Sequence, residues 1–173
     1  MLTDTTVVLG IPIPSSSPGF LWLVGVHVAA GVVCVVAGIV AMLSTKRAGR
    51  HPLAGTVYYW SLLVVFGSMA ALSIMRWPED VHLLVLGVLS FAAAVIGREA
   101  RRRQNPGWLP IHIIGMSTSY IALLTAFYVD NGPHLPLWNR MPNLAFWLLP
   151  SVIGVPILIR VLNRHPLVLA ARQ

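Results

Sequence analysis

Five long apolar segments, separated by short polar connections, dominate the pattern of the chain. They cover residues 20–43, 57–74, 81–97, 109–129 and 144–162. A helix needs about 20 apolar residues to cross about 30 Å of hydrocarbon, and lipid offers no partner to backbone groups left outside helices. The pattern therefore predicts an all-α integral membrane bundle of five transmembrane helices within residues 20–163. Residues 1–19 are expected to form an external arm, and residues 164–173 a cytoplasmic tail.

The composition supports a lipid bilayer as the solvent of this chain. Hydrophobic residues make up 57% of the sequence and charged residues 10%, whereas a soluble domain has about 25% charged residues. The formal net charge is +7, but the basic residues lie in short clusters between the apolar segments. Such clusters are typical of membrane topology signals, so no nucleic-acid partner is expected.

The distribution of basic residues predicts the orientation. The loops after the first and third segments, together with the tail, hold ten of the twelve lysines and arginines. These three regions share one side of a five-span protein, and the opposite side keeps only Arg76 and Arg140. Because basic loops stay in the cytoplasm, the N-terminus is expected outside and the C-terminus inside.

Several kinds of site are disfavoured by what the spans lack. No Asp or Glu lies within a predicted span, although proton carriers and carboxylate metal sites depend on such groups. No metal site is therefore predicted, and the single cysteine, Cys34, has no disulfide partner in the chain. Small residues spaced by four predict close helix contacts on three segments. These rows are Ala30, Cys34 and Gly38, then Gly67 and Ala71, then Ala93 and Gly97. No convincing internal repeat stands out that would indicate an inverted-repeat transporter.

Histidines offer the sharpest chemical hypothesis. His27 and His82 lie at heights of about 28 Å and 24 Å above the basic ends of their spans, so they form a predicted outer layer. His51 and His112 begin the second and fourth spans and form a predicted inner layer. Two such pairs of neutral imidazoles are the ligands that two b-type haems require. The alternative is that each histidine bonds a neighbouring carbonyl or hydroxyl group. The two remaining histidines, His134 and His165, are expected to be solvated.

The fourth span carries the most polar face of the five. Met116, Ser119 and Tyr120 continue the stripe that begins at His112, with the spacing of one helix face. Hydrogen bonds between helices explain such a stripe, and the lining of a small-molecule or quinone cavity is the alternative hypothesis.

The sequence resembles a bacterial family of small multi-pass membrane proteins of unknown function. The resemblance rests on a His-x-x-x-Gly-x-x-Tyr opening of one span and a later His-x-x-x-Met with a Ser-Tyr pair. The matching residues are His51, Gly55, Tyr58, His112, Met116, Ser119 and Tyr120. It implies location in the inner membrane of a bacterium and no particular activity. The number and depth of the histidines also resemble those of membrane b-type cytochromes.

The sequence thus predicts a multi-pass inner-membrane protein and leaves its biochemical function, including any enzymatic activity, open. The first specific alternative is electron transfer through bound haem b. The second is a binding or transport module for small molecules. The third is an assembly factor or accessory subunit that works through a homo-oligomer or a membrane-protein partner.

Overall fold

The computed structural model describes residues 6–8, 11–13, 17–46, 49–136, 138–165 and 168. Five long helices contain most of these residues, and a 3₁₀ turn at Gly132–His134 follows the fourth. The helices are α1 (Pro18–Leu43), α2 (Arg50–Met75), α3 (Val81–Arg103), α4 (Trp108–Asn131) and α5 (Asn143–Arg164).

All five helices are long and apolar enough to cross a membrane. Large aliphatic and aromatic side chains are exposed along them, as expected where lipid replaces water. The structure therefore confirms the prediction of five helices that are long and apolar enough to span a membrane, which is compatible with a multi-pass membrane protein. Its orientation, and the membrane that holds it, stay predictions from sequence.

The helices extend beyond the apolar segments at their basic ends. α2 begins at Arg50, seven residues before residue 57, and α3 continues through the arginines to Arg103. Gly49 and Gly107 precede α2 and α4 with φ angles of 111° and 79°, which favour glycine because it has no Cβ. Hydropathy marks only the part of a helix inside hydrocarbon, so these helices are longer than the apolar segments, whose bounds as membrane spans stay predictions.

A short hairpin precedes the helices and leaves the all-α class unchanged. β1 (Thr6–Val8) and β2 (Ile11–Ile13) pair antiparallel, with Val7 opposite Pro12. The predicted arm over residues 1–19 thus contains regular structure, and α1 already begins at Pro18. The Ser17 hydroxyl accepts a hydrogen bond from the backbone N–H of Phe20 at 3.3 Å and caps α1.

The chain divides into two compact units, Met1–Leu84 and Val85–Gln173. In the first unit, α1 packs on α2, and the central buried residues that α1 contributes are small. Its buried side chains include Cys34, Ala37, Tyr58 and Leu62. Ion pairing closes the turn after α2, where Arg76 lies 3.1 Å from the buried carboxylate of Asp80.

In the second unit, α4 lies between the remaining part of α3 and α5. α5 is continuous although Pro150 and Pro156 stand inside it, as membrane helices tolerate. Gly154 lets α5 approach the Ile121 side chain, since a Cβ on Gly154 would lie 2.6 Å from it. Gly132 similarly lies against the buried ring of Phe146.

Candidate functional site

Histidine side chains join α1 to α2 at two levels of the first helical hairpin. The Nδ1 atom of His51 lies 2.8 Å from the carbonyl oxygen of Ala41, and Nδ1 of His27 lies 2.9 Å from Oγ of Ser68. Between these levels, the Cys34 thiol donates to the carbonyl oxygen of Tyr58 at 3.6 Å. Polar contacts therefore cross the hairpin at three depths.

The partners of these two histidines fix where each neutral ring carries its proton. A carbonyl oxygen only accepts, so His51 must donate from Nδ1. The hydroxyl of Ser68 has one proton, and its Oγ lies 2.7 Å from the carbonyl oxygen of Val64 and 3.0 Å from that of Val65, so it donates within α2. Oγ of Ser68 therefore accepts from His27 Nδ1–H. In both rings the nitrogen that holds the lone pair is Nε2.

A lysine reinforces the basic end of α1. Nζ of Lys46 donates to the carbonyl oxygens of Ala41 and Met42, both at 2.8 Å. A cation at a helix C-terminus satisfies carbonyls that have no partner within the helix, and it complements the helix dipole. Partial burial lowers the pKa of Lys46 below its ordinary value.

The second hairpin, formed by α3 and α4, carries contacts of the same kind. Nδ1 of His112 lies 2.9 Å from the carbonyl oxygen of Gly97, so this ring also donates from Nδ1. The Ser90 hydroxyl donates to the carbonyl oxygen of Ser119 at 2.9 Å. Ser119 is fully buried, and its position shows that the polar stripe of α4 contributes to helix packing.

The two hairpins repeat one pattern of contacts. In each, a histidine near the start of the second helix bonds a carbonyl of the first helix. The side chain seven residues before that carbonyl, Cys34 or Ser90, donates a hydrogen bond to a backbone carbonyl oxygen of the second helix. That oxygen belongs to the residue seven positions after the histidine, which is Tyr58 or Ser119. First-helix positions recur 56 residues later, and second-helix positions recur 61 residues later. The matched pairs are Cys34/Ser90, Ala37/Ala93, Gly38/Ala94, Ala41/Gly97, His51/His112, Ala54/Gly115, Tyr58/Ser119 and Leu62/Leu123.

This recurrence of contacts in two successive hairpins was not predicted from the sequence; the prediction that no inverted-repeat transporter is indicated is a separate one and stays a prediction. Few of the matched residues are identical, and the segment from Gly97 to His112 is five residues longer than the segment from Ala41 to His51. What recurs is the burial of most of these positions and the hydrogen bonding between the helices. The sequence does contain one signal of this repeat. Each histidine is followed three residues later by a small residue, which is Ala54 after His51 and Gly115 after His112.

Backbone approach is closest where α3 crosses α4. A Cβ built on Gly115 would lie 2.7 Å from the carbonyl oxygen of Ala93 and 2.8 Å from Cα of Gly97. The predicted small-residue row on α3 is thus at a helix contact, as expected for such rows. The predicted row on α2 is not, because Gly67 is exposed and a Cβ there would meet nothing within 4 Å.

The other residues named in the sequence analysis differ in how deeply they are buried. His82 is half-buried at the second position of α3, and Met116 and Tyr120 are half-buried on α4. His134 is exposed, as predicted for a solvated residue. His165 differs from that prediction, because its Nδ1 atom is buried and makes no hydrogen bond within the described part of the chain. The sequence pattern does not show this burial, because it arises only when the chain folds around the end of α5.

Among the described residues, no cluster of three or more His, Cys, Asp or Glu side chains has the arrangement of a metal-ion site. Comparison of the chain with protein-family models, with curated proteins and with solved structures gives no match. The resemblance to a bacterial membrane family stays a prediction, and function must be argued from the contacts of this chain alone.

Proposed function

We propose that this membrane protein binds b-type haem through its helix-borne histidines and transfers electrons across the bilayer. The observation that carries the proposal is the shared state of His27, His51 and His112. Each donates from Nδ1 to an oxygen atom on the adjacent helix of its own hairpin. A histidine that ligates a metal commonly donates its other ring N–H in this way, which fixes both the tautomer and the ring orientation.

The chemistry of the available side chains favours haem over a free metal ion. Neutral imidazole is an axial ligand of b-type haem, which supplies one-electron transfer when bound. Ionised ligands are costly to bury within a bilayer, and no acidic residue lies within the apolar segments. Neutral rings oriented by carbonyl and hydroxyl oxygens avoid that cost.

The repeated hairpin supports two levels of histidine. His51 and His112 occupy matched positions near the basic ends of their hairpins. His27 precedes Ala41 by 14 residues, and His82 precedes the matched Gly97 by 15 residues. At the rise of an α-helix, the two side chains begin about 21 Å and about 22 Å along their helices from those equivalent carbonyls. Each copy of the hairpin therefore offers one histidine at each level.

Ser68 and the carbonyls of Ala41 and Gly97 have a positioning role in this proposal. Each oxygen holds one imidazole N–H and directs the opposite ring nitrogen, Nε2, away from that contact. Removal of the acceptor is expected to loosen the ring without removing the ligand. Such outer contacts tune metal sites through ligand basicity and orientation.

Reduced-minus-oxidised absorption spectra of single-histidine variants test the proposal. The full chain is produced with ample haem and purified in a mild detergent. His27→Ala and His82→Ala are expected to abolish one spectral component, and His51→Ala and His112→Ala a second one. His134→Ala is the matched control, because His134 is exposed, and its spectrum should equal that of the wild type. Loss of both components in every histidine variant except the control, with unchanged folding by circular dichroism, would contradict two separate layers.

A further inference from the structure

An apolar groove runs along the outer side of the α3–α4 contact. Its volume is about 270 Å³. The two walls come from one helix each, and Thr118 supplies the one hydroxyl group of the lining. The lining residues are Ala93, Ile96, Ile111, Ile114, Gly115 and Thr118.

The close approach of the two helices explains the groove. Gly115 has no side chain to fill the space beside Ala93, and its backbone rests against Gly97. Ile96 of α3 and Ile114 of α4 both line the groove and are exposed. Small residues in the centre and branched residues at the edges leave a channel that is open along its length.

The length of the groove suits an acyl chain of a lipid. From Thr118 to Ile111 the groove follows seven residues of α4, which is about 10 Å at the helical rise. One leaflet contributes about half of the 30 Å hydrocarbon thickness, so the groove covers most of one leaflet. A partner transmembrane helix would require an apolar surface about twice as long.

A basic cluster follows the groove at the end of α3. Four arginines and one acidic residue, Glu99, lie within positions 98–103, so the cluster has an excess of three positive charges. Glu99 pairs with Arg103 at 2.8 Å and with Arg102 at 4.0 Å. Basic clusters next to a cleft between membrane helices are typical of sites for anionic lipid headgroups.

We propose that the α3–α4 groove is a binding site for an anionic phospholipid. One acyl chain would occupy the space between Ile96 and Ile114, and the phosphate would face the arginine cluster. The apolar lining selects hydrocarbon, and the charge excess selects an anionic over a zwitterionic headgroup. The site is independent of the histidines, so it stands or fails separately from haem binding.

Thermal unfolding of the delipidated full-length protein in neutral detergent tests the site. Phosphatidylglycerol is expected to raise the melting temperature saturably, because a ligand that binds the folded state stabilises it by mass action. Phosphatidylcholine with the same acyl chains should give a much smaller rise. Glycerol phosphate, which has the headgroup charge without the chains, should give none.

Two sets of variants test the apolar groove and the arginine cluster separately. Thr118→Phe and Ile96→Phe place a ring in or over the groove and should abolish saturable stabilisation, whereas Val152→Phe, at an exposed position on α5, should not. Replacement of Arg101, Arg102 and Arg103 by Gln should weaken phosphatidylglycerol binding roughly a hundredfold, and Arg160→Gln should have little effect. Equal stabilisation by both phospholipids would overturn headgroup recognition. Undiminished phosphatidylglycerol binding in both groove variants would overturn the groove and indicate surface adsorption alone.

Discussion

The imidazole Nδ1 of His112 lies 2.9 Å from the carbonyl oxygen of Gly97, and the same contact joins His51 to Ala41 in the preceding hairpin. A bond of this kind fastens the start of one helix to the end of its neighbour. Because it also fixes the tautomer of the ring, a single contact links the packing of the hairpin to the chemistry proposed for it.

The tautomer of these rings is directly measurable. In haem-free protein at neutral pH, ¹⁵N resonances of His51 and His112 should report a protonated Nδ1 and an unprotonated Nε2. Exposed His134 should show the tautomer mixture of a solvated ring. A dominant Nε2–H form at His51 or His112 would contradict the hydrogen bonds to Ala41 and Gly97.

Substitution at the α3–α4 crossing should be costly. Gly115→Ala adds a methyl group that would lie 2.7 Å from the Ala93 carbonyl oxygen, so the helices must separate. Overpacking of this kind costs about 1–3 kcal/mol, and the melting temperature in detergent should fall. Gly67→Ala is the control, because nothing lies within 4 Å of the added atom, and the better helix propensity of alanine should leave stability equal or higher. Similar melting temperatures for the two variants would refute the close crossing.

The hairpin repeat predicts which residues position 34 accepts. Cys34→Ser should be tolerated, since Ser90 occupies the matched position and donates to the matched carbonyl. Cys34→Val removes the donor and adds a branched side chain at a site with 0% exposure, so it should lower the melting temperature clearly. Melting curves of the two variants check this. Equal destabilisation by serine and valine would argue that the match between the two hairpins has no energetic meaning.

Orientation in the membrane is tested by reporter fusions. The excess of lysine and arginine after the first and third apolar segments predicts cytoplasmic signals for fusions after Arg103 and at the C-terminus. A fusion near Asn131, at the end of α4, should report the external side. If the C-terminal and Asn131 fusions report the same side, α5 does not cross the membrane.

The five helices followed from the sequence because lipid imposes a simple rule on length and polarity. Gly97 was correctly predicted to lie at a helix contact, since small residues at a spacing of four allow backbone approach. Gly67 has the same local pattern but is exposed. Local spacing cannot distinguish these two glycines, because in a membrane both the helix contact and the lipid-facing surface are apolar.

The candidate site was predictable only in part. Histidine depth follows from position along a helix, and His27 was expected to need a partner. That Ser68 is a partner depends on how α2 rotates against α1, which hydropathy does not encode. The repeat of the hairpins could not be recognised from residue types for a related reason. Tyr58 and Ser119 differ greatly in size, but each accepts the matched hydrogen bond through its own backbone carbonyl.

The haem content of the purified wild-type protein is the most direct test of the proposed function. The protein is produced with ample haem, and its haem is quantified per chain from the reduced pyridine complex. Two histidine levels predict about two b-type haems per chain, with sharp reduced bands typical of two axial imidazole ligands. A ratio of one would contradict the second level. Well-folded protein with no Soret absorbance would contradict haem binding altogether.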